Sequence, residues 1–180
     1  MTSEAEDGIL VARARDGDTA AFEDLVRRYA TRVYRIALRI VGDADTAEDA
    51  AQDSFITAWR CLHELHAEQA FAAWLYRIAA TRAVNVARAR RPEISLEEEA
   101  LPPSRTAGPA QQAVAAELRA ALTRALRRLT PEQRACWVLR ELEGMSTNEI
   151  AHTVHTSPDA VRGRVHRARA RLAQELTPWR

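Results

Sequence analysis

The chain has 180 residues, of which 47% are hydrophobic and 28% charged, and these values fit one or two small globular domains. No apolar run approaches the ~20 residues that a membrane-spanning helix needs, and no secretory signal precedes the first charged residues, which argues against a membrane protein and predicts a cytoplasmic one. The two cysteines, Cys61 and Cys136, form no CxxC motif, so we expect no disulfide framework and a reducing compartment.

The charge is unevenly distributed along the chain, although the net charge is only +1. All 26 basic residues are arginine. Residues 1–90 carry 12 Arg against 14 acidic residues, whereas residues 114–180 carry 12 Arg against 7. This gradient predicts that the C-terminal part binds an anion and that the N-terminal part has a different partner.

Apolar residues recur with the helical period, and strand-like alternation is absent, so the sequence predicts an all-α protein. In the N-terminal half we predict helices near residues 6–15, 18–41, 45–60 and 70–90. The second of these has a clear apolar stripe formed by Phe22, Leu25, Val26, Tyr29, Val33, Ile36 and Ile40. The third is expected to bury Ala47, Ala51, Phe55, Ala58 and Trp59.

The composition changes at residues 91–112, which hold four of the seven prolines and an acidic triplet at 97–99. Such a segment cannot bury enough apolar surface to hold a core, so we predict a flexible, acidic and proline-rich linker over residues 92–112. The linker separates one small helical domain over residues 1–91 from a second over residues 113–180.

Three helix starts follow closely in the second domain. Capping boxes are predicted at residues 130–133 and 146–149, and Ser157-Pro158 begins a third helix. Between the last two starts lie a short apolar pattern at Ile150, Ala151 and Val154 and a turn at residues 155–157. The longer helix beyond has an apolar stripe of Val161, Val165, Ala168, Leu172 and Leu176. This spacing is typical of a helix-turn-helix, although a glycine is often found where His155 stands.

The arginines of the longer helix lie on different faces of it. At ~100° per residue, Gly163, His166 and Arg167 lie roughly opposite the apolar stripe, with Arg162 beside them. A glycine there lets the helix approach the groove floor, while neighbouring guanidinium groups reach guanine edges or phosphates. Arg169 and Arg171 lie further along, where we expect contacts with backbone phosphates. The plainer interpretation is a solvated cationic face, but the caps, the turn and the stripe favour a DNA-binding helix.

Three stretches carry a family resemblance. AEDAAQDSFITAW (47–59), FAAWLYRIAATRAVNVARARR (71–91) and the whole of residues 125–172 resemble, in this order, the region 2 core-binding run, the promoter-melting helix and region 4 of extracytoplasmic-function (ECF) sigma factors of the sigma-70 superfamily. The resemblance covers nearly the whole chain. It implies an alternative sigma factor that directs promoter-specific transcription initiation and that is not itself an enzyme and needs no cofactor.

The resemblance also implies binding residues. The core polymerase would be bound by Glu48, Asp49, Gln52 and Asp53, although a solvated helix face would otherwise be the simpler interpretation of these four residues. The −10 element would be bound by Arg77, Thr81, Asn85 and Arg88, and the preceding residues 62–69 would hold an unpaired base. The family usually has Asn in place of Thr81 and Asp in place of Asn85, which leaves the preferred −10 bases open.

In region 4, the resemblance implies that the −35 element is bound by Arg162, Gly163, Arg164, His166 and Arg167, of which Arg164 rests mainly on the resemblance. The implied partners are promoter DNA, the β′ clamp helices and β flap of core RNA polymerase, and an anti-sigma factor. The chain ends at Arg180, soon after region 4, so we expect no C-terminal sensory domain. The acidic triplet at 97–99 could mimic nucleic acid inside the polymerase, or it could simply be solvated.

Two other classes and one metal site stay as alternatives. Cys61, His63 and His66 form a C-x-H-x₂-H cluster, but it has no obvious fourth ligand, so we expect no zinc site. An autonomous helix-turn-helix regulator would explain residues 146–176 but not the acidic run at 47–59. A protein with interaction functions only would leave the arrangement of the arginines unexplained.

Overall fold

The structure, a computed structural model, describes residues 2–89 and 109–177. Within these ranges it contains eight α-helices, two single 3₁₀ turns and no β-strand, which confirms the all-α prediction. The helices are α1 Thr2–Arg15, α2 Thr19–Val41, α3 Ala44–Arg60, α4 Phe71–Ala89, α5 Pro109–Arg127, α6 Pro131–Glu141, α7 Thr147–Thr153 and α8 Pro158–Glu175. The 3₁₀ turns, Leu62–Glu64 and Glu68–Ala70, lie between α3 and α4.

Helices α1–α4 form the N-terminal bundle, with α2 at its centre against the other three. Asp18 caps α2 by accepting a hydrogen bond from the backbone N–H of Ala21, and Asp43 caps α3 in the same way through Thr46. Between them, Gly42 adopts a left-handed conformation, with φ of 83°, that ends α2 and turns the chain into α3. The predicted stripe of α2 is buried at Leu25, Val33, Ile36 and Ile40.

Helices α6–α8 form the predicted helix-turn-helix and its supporting helix. Both capping boxes are present, at Thr130 with Gln133 and at Ser146 with Glu149, and Ser157 caps α8. The turn between α7 and α8 contains His155 with φ of 50°, the only non-glycine residue with positive φ in the described part of the chain. The stripe of α8 is buried at Val161, Val165, Ala168 and Leu172, as predicted.

The two helical bundles pack against each other. Helix α6 lies against α2 and α4, and α7 lies against α4. One apolar core runs through both bundles, from Ile36 and Ile40 of α2 to Val138 and Leu139 of α6 and on to Ile150 of α7. Two domains were predicted from the sequence, but this contact between them was not.

Arg134 of α6 connects the two bundles from a buried position. Its guanidinium donates hydrogen bonds to the carbonyl oxygens of Ile40 and Val41, at the end of α2, at 2.9 and 3.2 Å. It also donates to three carbonyl oxygens at and after the end of α5, those of Leu126, Arg127 and Leu129. Burial, with the nearby Arg127 charge, lowers the pKa of Arg134 to about 10, so the group is charged at neutral pH. A single cation thus donates hydrogen bonds to carbonyl oxygens at the C-terminal ends of two helices.

Two sequence predictions differ from the structure. Trp59 is not in the core: it is 37% exposed, and its ring packs on Phe22 of α2 at a centroid distance of 4.9 Å. Phe22 is itself half-buried. Helix α5 begins at Pro109, inside the range assigned to the linker, and the acidic triplet at 97–99 lies outside the described residues. Cys61 and Cys136 are free thiols, and none of the described helices is long and apolar enough to span a membrane.

Candidate nucleic-acid interface

The outer face of α8 carries an exposed cationic surface that the fold leaves open. His166, Arg167 and Arg171 are exposed, and so are Arg162 and Arg169. Arg162 bonds to Asp159, one turn earlier, and Arg169 donates to Glu141 of α6 at 2.6 Å. These exposed ion pairs contribute little to stability, so phosphate oxygens could replace the carboxylates at little cost. We name this set the α8 face: Arg162, Gly163, His166, Arg167, Arg169 and Arg171.

Gly163 has no conformational reason to be glycine. It lies within α8 without positive φ, and glycine inside a helix costs about 1 kcal/mol relative to alanine. A Cβ atom at this position would meet only the guanidinium of Arg167, whose nearest nitrogen lies 3.3 Å away and whose side chain is flexible. The fold would therefore accept alanine. Close approach of a ligand to the helix surface is the remaining physical reason for glycine here.

Gly163→Ala should therefore move stability and DNA binding in opposite directions. We expect the free energy of unfolding to rise by about 0.5–1 kcal/mol, because alanine is the better helix former. We expect the affinity for −35 duplex DNA to fall at least fivefold, because the methyl group keeps the helix off the groove floor. Urea denaturation and fluorescence anisotropy measure the two quantities. Ala170→Gly, at an exposed position of the same helix, is the control and should lower stability without affecting specific binding. A Gly163→Ala protein that binds DNA as well as the wild type would contradict this role.

Arg164 does not share the α8 face. It is half-buried, its guanidinium lies beside the buried Cys136 thiol, and one of its terminal nitrogens has no hydrogen-bond partner among the described residues. Burial raises the pKa of Cys136, and the Arg164 cation opposes that effect. To reach DNA, the Arg164 side chain would have to turn away from α6.

The four residues predicted to bind the −10 element lie along one side of α4, and that side faces α6 and α7. Thr81 donates a hydrogen bond to the carbonyl oxygen of Thr153 at 3.1 Å, and Arg88 donates to Glu132 at 3.1 Å. Arg77 and Asn85 line an open cleft whose opposite wall includes His152 and His155. We call Arg77, Thr81, Asn85 and Arg88 the α4 face. Trp74 is half-buried against Phe71.

The acidic residues of α3 lie on the solvent side of the N-terminal bundle. Glu48, Asp49 and Gln52 are exposed, whereas Asp53 is half-buried in an ion pair with Arg82 of α4. The first three could contact a cationic partner without any rearrangement. Ile56, on the same helix, is 57% exposed beside them in sequence, and Trp59 follows. An acidic surface next to apolar side chains is suited to protein binding.

The cluster of Cys61, His63 and His66 gives no sign of metal coordination. His63 and His66 are exposed and Cys61 is half-buried. Within residues 2–89 and 109–177, no group of three or more His, Cys, Asp or Glu side chains is placed to hold a metal ion. The segment around it contains the two 3₁₀ turns that precede α4.

The residues that join the two bundles were not predicted from the sequence. Glu143, after α6, has a side chain only 2% exposed and accepts from Arg32 of α2 at 3.0 Å, with Arg39 at 4.0 Å. Arg32 also lies over the Tyr76 ring, 4.6 Å from its centroid. The inward position of Arg134 could have been inferred from the sequence, because Arg134 precedes the apolar Val138 by four residues and so lies on the same face of the helix. For Glu143 the sequence offers no comparable signal.

Comparison with known proteins identifies the class. Region 2 of the sigma-70 family matches residues 25–93, and region 4 of that family matches residues 119–172. The first range includes α4 with its face, and the second includes most of α8 with its face. Together they cover more than half of the chain and define a protein of the sigma-70 family.

Curated relatives narrow the class. The RNA polymerase sigma-H factor of Pseudomonas aeruginosa is 34% identical over 99% of this chain and 97% of that protein. The ECF RNA polymerase sigma-E factor of Escherichia coli K12 is 35% identical over 99% and 98%. The chain belongs to the ECF sigma factors.

Two solved structures share the fold. CnrH, solved in complex with the cytosolic domain of CnrY, has a TM-score of 0.63 and 29% identity, covering 96% of this chain and 98% of that one. The sigma factor RpoE of Bartonella quintana, solved with the anti-sigma factor NepR, has a TM-score of 0.66 and 23% identity, covering 87% and 96%.

Proposed function

We propose that this protein binds core RNA polymerase and directs it to promoters through two DNA contacts, the α4 face at the −10 element and the α8 face at the −35 element. The observation that carries the proposal is the α8 face, in which a glycine that the helix does not need is surrounded by exposed Arg162, His166 and Arg167. This arrangement supplies bidentate donors for guanine and cations for phosphate at one short stretch of major groove.

The acidic surface of α3 supports a separate role in polymerase binding. Glu48, Asp49 and Gln52 are exposed on the N-terminal bundle and belong to the run that resembles the family's core-binding helix. An acidic surface is repelled by DNA, so a protein partner suits it better than a promoter does. We assign these residues, with Asp53, to the β′ clamp helices. The bond-making chemistry then belongs to the polymerase, and this chain contributes positioning.

The α4 face is suited to melted DNA. Arg77 and Arg88 supply cations for the backbone, Thr81 and Asn85 supply hydrogen-bonding groups for base edges, and the 3₁₀ turns before α4 would shape the pocket for an unpaired base. Thr81 and Asn85 differ from the residues that the family usually has, so the preferred −10 bases should differ as well.

The protein's regulation and its location in the cell follow from the same two interfaces. Because region 4 also contacts core polymerase at the β flap in this family, an inhibitor that covers both bundles would block all activity at once. We propose an anti-sigma factor as that inhibitor; the structurally similar RpoE of Bartonella quintana was solved with one. Since the polymerase is cytoplasmic, the protein would act in the cytoplasm.

Transcription from total genomic DNA tests the proposal at every promoter of the genome at once. Core polymerase and genomic fragments from the source organism are incubated with or without the protein, and the 5′ ends of the transcripts are sequenced. We expect a small set of new start sites that share two sequence elements at constant spacing. If no start site depends on the protein, while the protein alone binds duplex DNA tightly, it is an autonomous regulator instead.

The Arg162→Ala/Arg167→Ala double variant is the matched control. It removes two groove-facing cations and leaves the α3 acidic surface unchanged, so it should still bind core polymerase. Each good base contact contributes about 1–3 kcal/mol, so we expect initiation at the mapped start sites to fall at least tenfold.

A further inference from the structure

The segment between α3 and α4 buries its leucines and exposes most of its polar side chains. Leu62 and Leu65 are 3% and 5% exposed, whereas His63, Glu64 and His66 lie in solvent. Its regular structure consists of the two three-residue 3₁₀ turns, whose hydrogen-bond geometry is poorer than that of an α-helix. We call residues 62–69 the base loop, because the proposed function assigns an unpaired −10 base to them. Such a loop needs external contacts to keep one shape.

Arg15, the last residue of α1, contacts the base loop from another helix. Its guanidinium donates a hydrogen bond to the carbonyl oxygen of Leu65 at 2.6 Å. The other terminal nitrogen of the same group lies 3.5 Å from a carboxylate oxygen of Glu68. Leu65 follows the first 3₁₀ turn and Glu68 begins the second. One side chain therefore binds the loop at two points on either side of its exposed centre.

Helix α1 is held firmly enough to support this contact. It packs against α2 and against both 3₁₀ turns, and it buries Val11 and Ala14 completely or nearly so. Asp7, also on α1, is 5% exposed and accepts a hydrogen bond from the hydroxyl of Tyr29 on α2. A buried carboxylate with such a partner fixes the position of a helix along its neighbour. Arg15 thus extends to the loop from a fixed support.

The two contacts of Arg15 have different consequences for the loop. The bond to the Leu65 carbonyl sets the direction of the backbone just before the exposed His66. The ion pair offsets the charge of Glu68, which lies three residues before α4 and would repel DNA phosphates. The side chains of Arg15 and Glu68 are 32% and 35% exposed, so water and salt weaken the ion pair. We therefore expect the bond to the carbonyl to have the larger effect.

We propose that Arg15 is a positioning residue for the −10 contact: it acts through Leu65 and Glu68 to hold the base loop in the shape that receives an unpaired base. The consequence for DNA rests on the proposed function, whereas the support of the loop does not. A pocket that is already formed binds without the cost of ordering the loop, and it selects bases by shape. Helix α1 precedes residues 25–93, which match region 2, so that match assigns it no role.

Arg15→Met tests the support of the loop in the free protein. Methionine keeps an aliphatic side chain and removes both contacts. Hydrogen–deuterium exchange should become at least about tenfold faster at the hydrogen-bonded amides of the loop and its end, while the amides of α3 and α4 change little. These amides are Glu64, Leu65 and Ala70. Wild-type exchange rates in Arg15→Met would overturn the proposal.

Arg13→Met is the matched control for the exchange measurement. Arg13 lies two residues earlier on the same helix, and it pairs with Asp18 at 2.7 Å instead of with the loop. The variant makes the same substitution and the same change in net charge. We expect the loop amides of Arg13→Met to exchange within about twofold of the wild type, because an exposed ion pair contributes little. Equal acceleration in both variants would mean that α1 is loosened as a whole, which contradicts a specific role of Arg15.

The effect on promoter recognition is measured as base discrimination. Holoenzyme initiates on four templates that differ only at the −10 position that the wild type selects most strongly. In Arg15→Met the ratio of the fastest to the slowest template should fall at least about fivefold, with unchanged affinity for core polymerase and −35 duplex. Arg15→Lys keeps a donor for the Leu65 carbonyl and should recover part of the ratio. A loss of folded protein lowers all four rates equally, so an unchanged ratio would overturn the proposal.

Glu68→Gln separates the shape of the loop from its charge. This variant removes the carboxylate and keeps the bond from Arg15 to Leu65, so it should discriminate bases as the wild type does. The Arg15→Met/Glu68→Gln double variant has no unpaired carboxylate, and it should still lose discrimination as Arg15→Met does. If the double variant regains the wild-type ratio, Arg15 acts by charge alone and the positioning role is wrong.

The failure of the two proposals would differ. If the protein does not direct initiation, no start site depends on any variant, yet Arg15→Met and Arg13→Met still differ in loop exchange. If only the positioning role is wrong, the wild type initiates with base discrimination and Arg15→Met keeps it.

Discussion

The Glu48→Arg/Asp49→Arg double variant should lose at least 100-fold in affinity for core RNA polymerase. Both carboxylates are exposed on α3 and available to a cationic partner, and reversal of their charge places like charges together, which costs several kcal/mol at an interface. Fluorescence anisotropy with labelled protein and purified core enzyme measures the dissociation constant, and transcription at the mapped start sites should fall in parallel.

The matched control for this loss is Asp16→Arg/Glu23→Arg. It makes the same change in net charge at exposed positions of the N-terminal bundle, one before and one within α2. We expect it to bind core polymerase within about twofold of the wild type. Both double variants should keep the thermal stability of the parent, because surface substitutions usually stay within about 0.5 kcal/mol. If the two double variants bind core polymerase with equal affinity, α3 is not part of the polymerase interface.

Arg134→Met should destabilise the fold by about 3 kcal/mol. Methionine fills a similar volume, but it removes the side-chain donor of five carbonyl oxygens, of which, among the described residues, only that of Leu126 keeps a backbone donor, the N–H of Leu129. Hydrogen bonds to a charged group contribute about 1.5–3 kcal/mol each, and the freed carbonyls will find only partial replacements. For a chain of this size the melting temperature should fall by about 6–12 °C, measured by differential scanning calorimetry.

Arg134→Lys and Arg128→Met are the controls for the stability loss expected of Arg134→Met. Lysine keeps the charge but not the planar fork, so it can serve only some of the five carbonyls and should lie between the wild type and Arg134→Met. Arg128 is exposed and pairs with Glu175 at 2.7 Å, so Arg128→Met should cost less than about 1 kcal/mol. A mild effect of Arg134→Met would mean that water reaches the two helix ends.

Helices and caps were predictable from the sequence because their causes are local. Ser146 and Glu149, or Ser157 and the proline that follows it, lie within four residues of the backbone groups that they satisfy. The α8 stripe follows from the helical period alone. The left-handed turn at His155 could be expected from the helix-turn-helix spacing, since a tight turn between two helices needs one such residue.

The contact between the regions was not predictable, because its partners are distant in sequence. Glu143 and Arg32 are separated by 111 positions, and Thr81 and Thr153 by 72. An exposed glutamate and a buried one have the same local pattern. Arg164 was placed among the DNA-binding residues by resemblance, whereas the structure holds it beside Cys136. The burial predicted for Trp59 was wrong, because the helical period does not show which side chains of α2 pack on it.

Helices α4 and α5 are connected by residues 90–108, so the packing of α6 and α7 on α4 is an intramolecular contact. A tether of this length gives an effective concentration in the millimolar range. Dilution therefore cannot separate the two bundles. Any partner that binds the α6–α7 surface in trans must compete with a contact that is tethered to it. A single proteolytic cut between Ala89 and Pro109 would turn this first-order process into a second-order one. The two halves could then separate at micromolar concentration without any change at the interface itself.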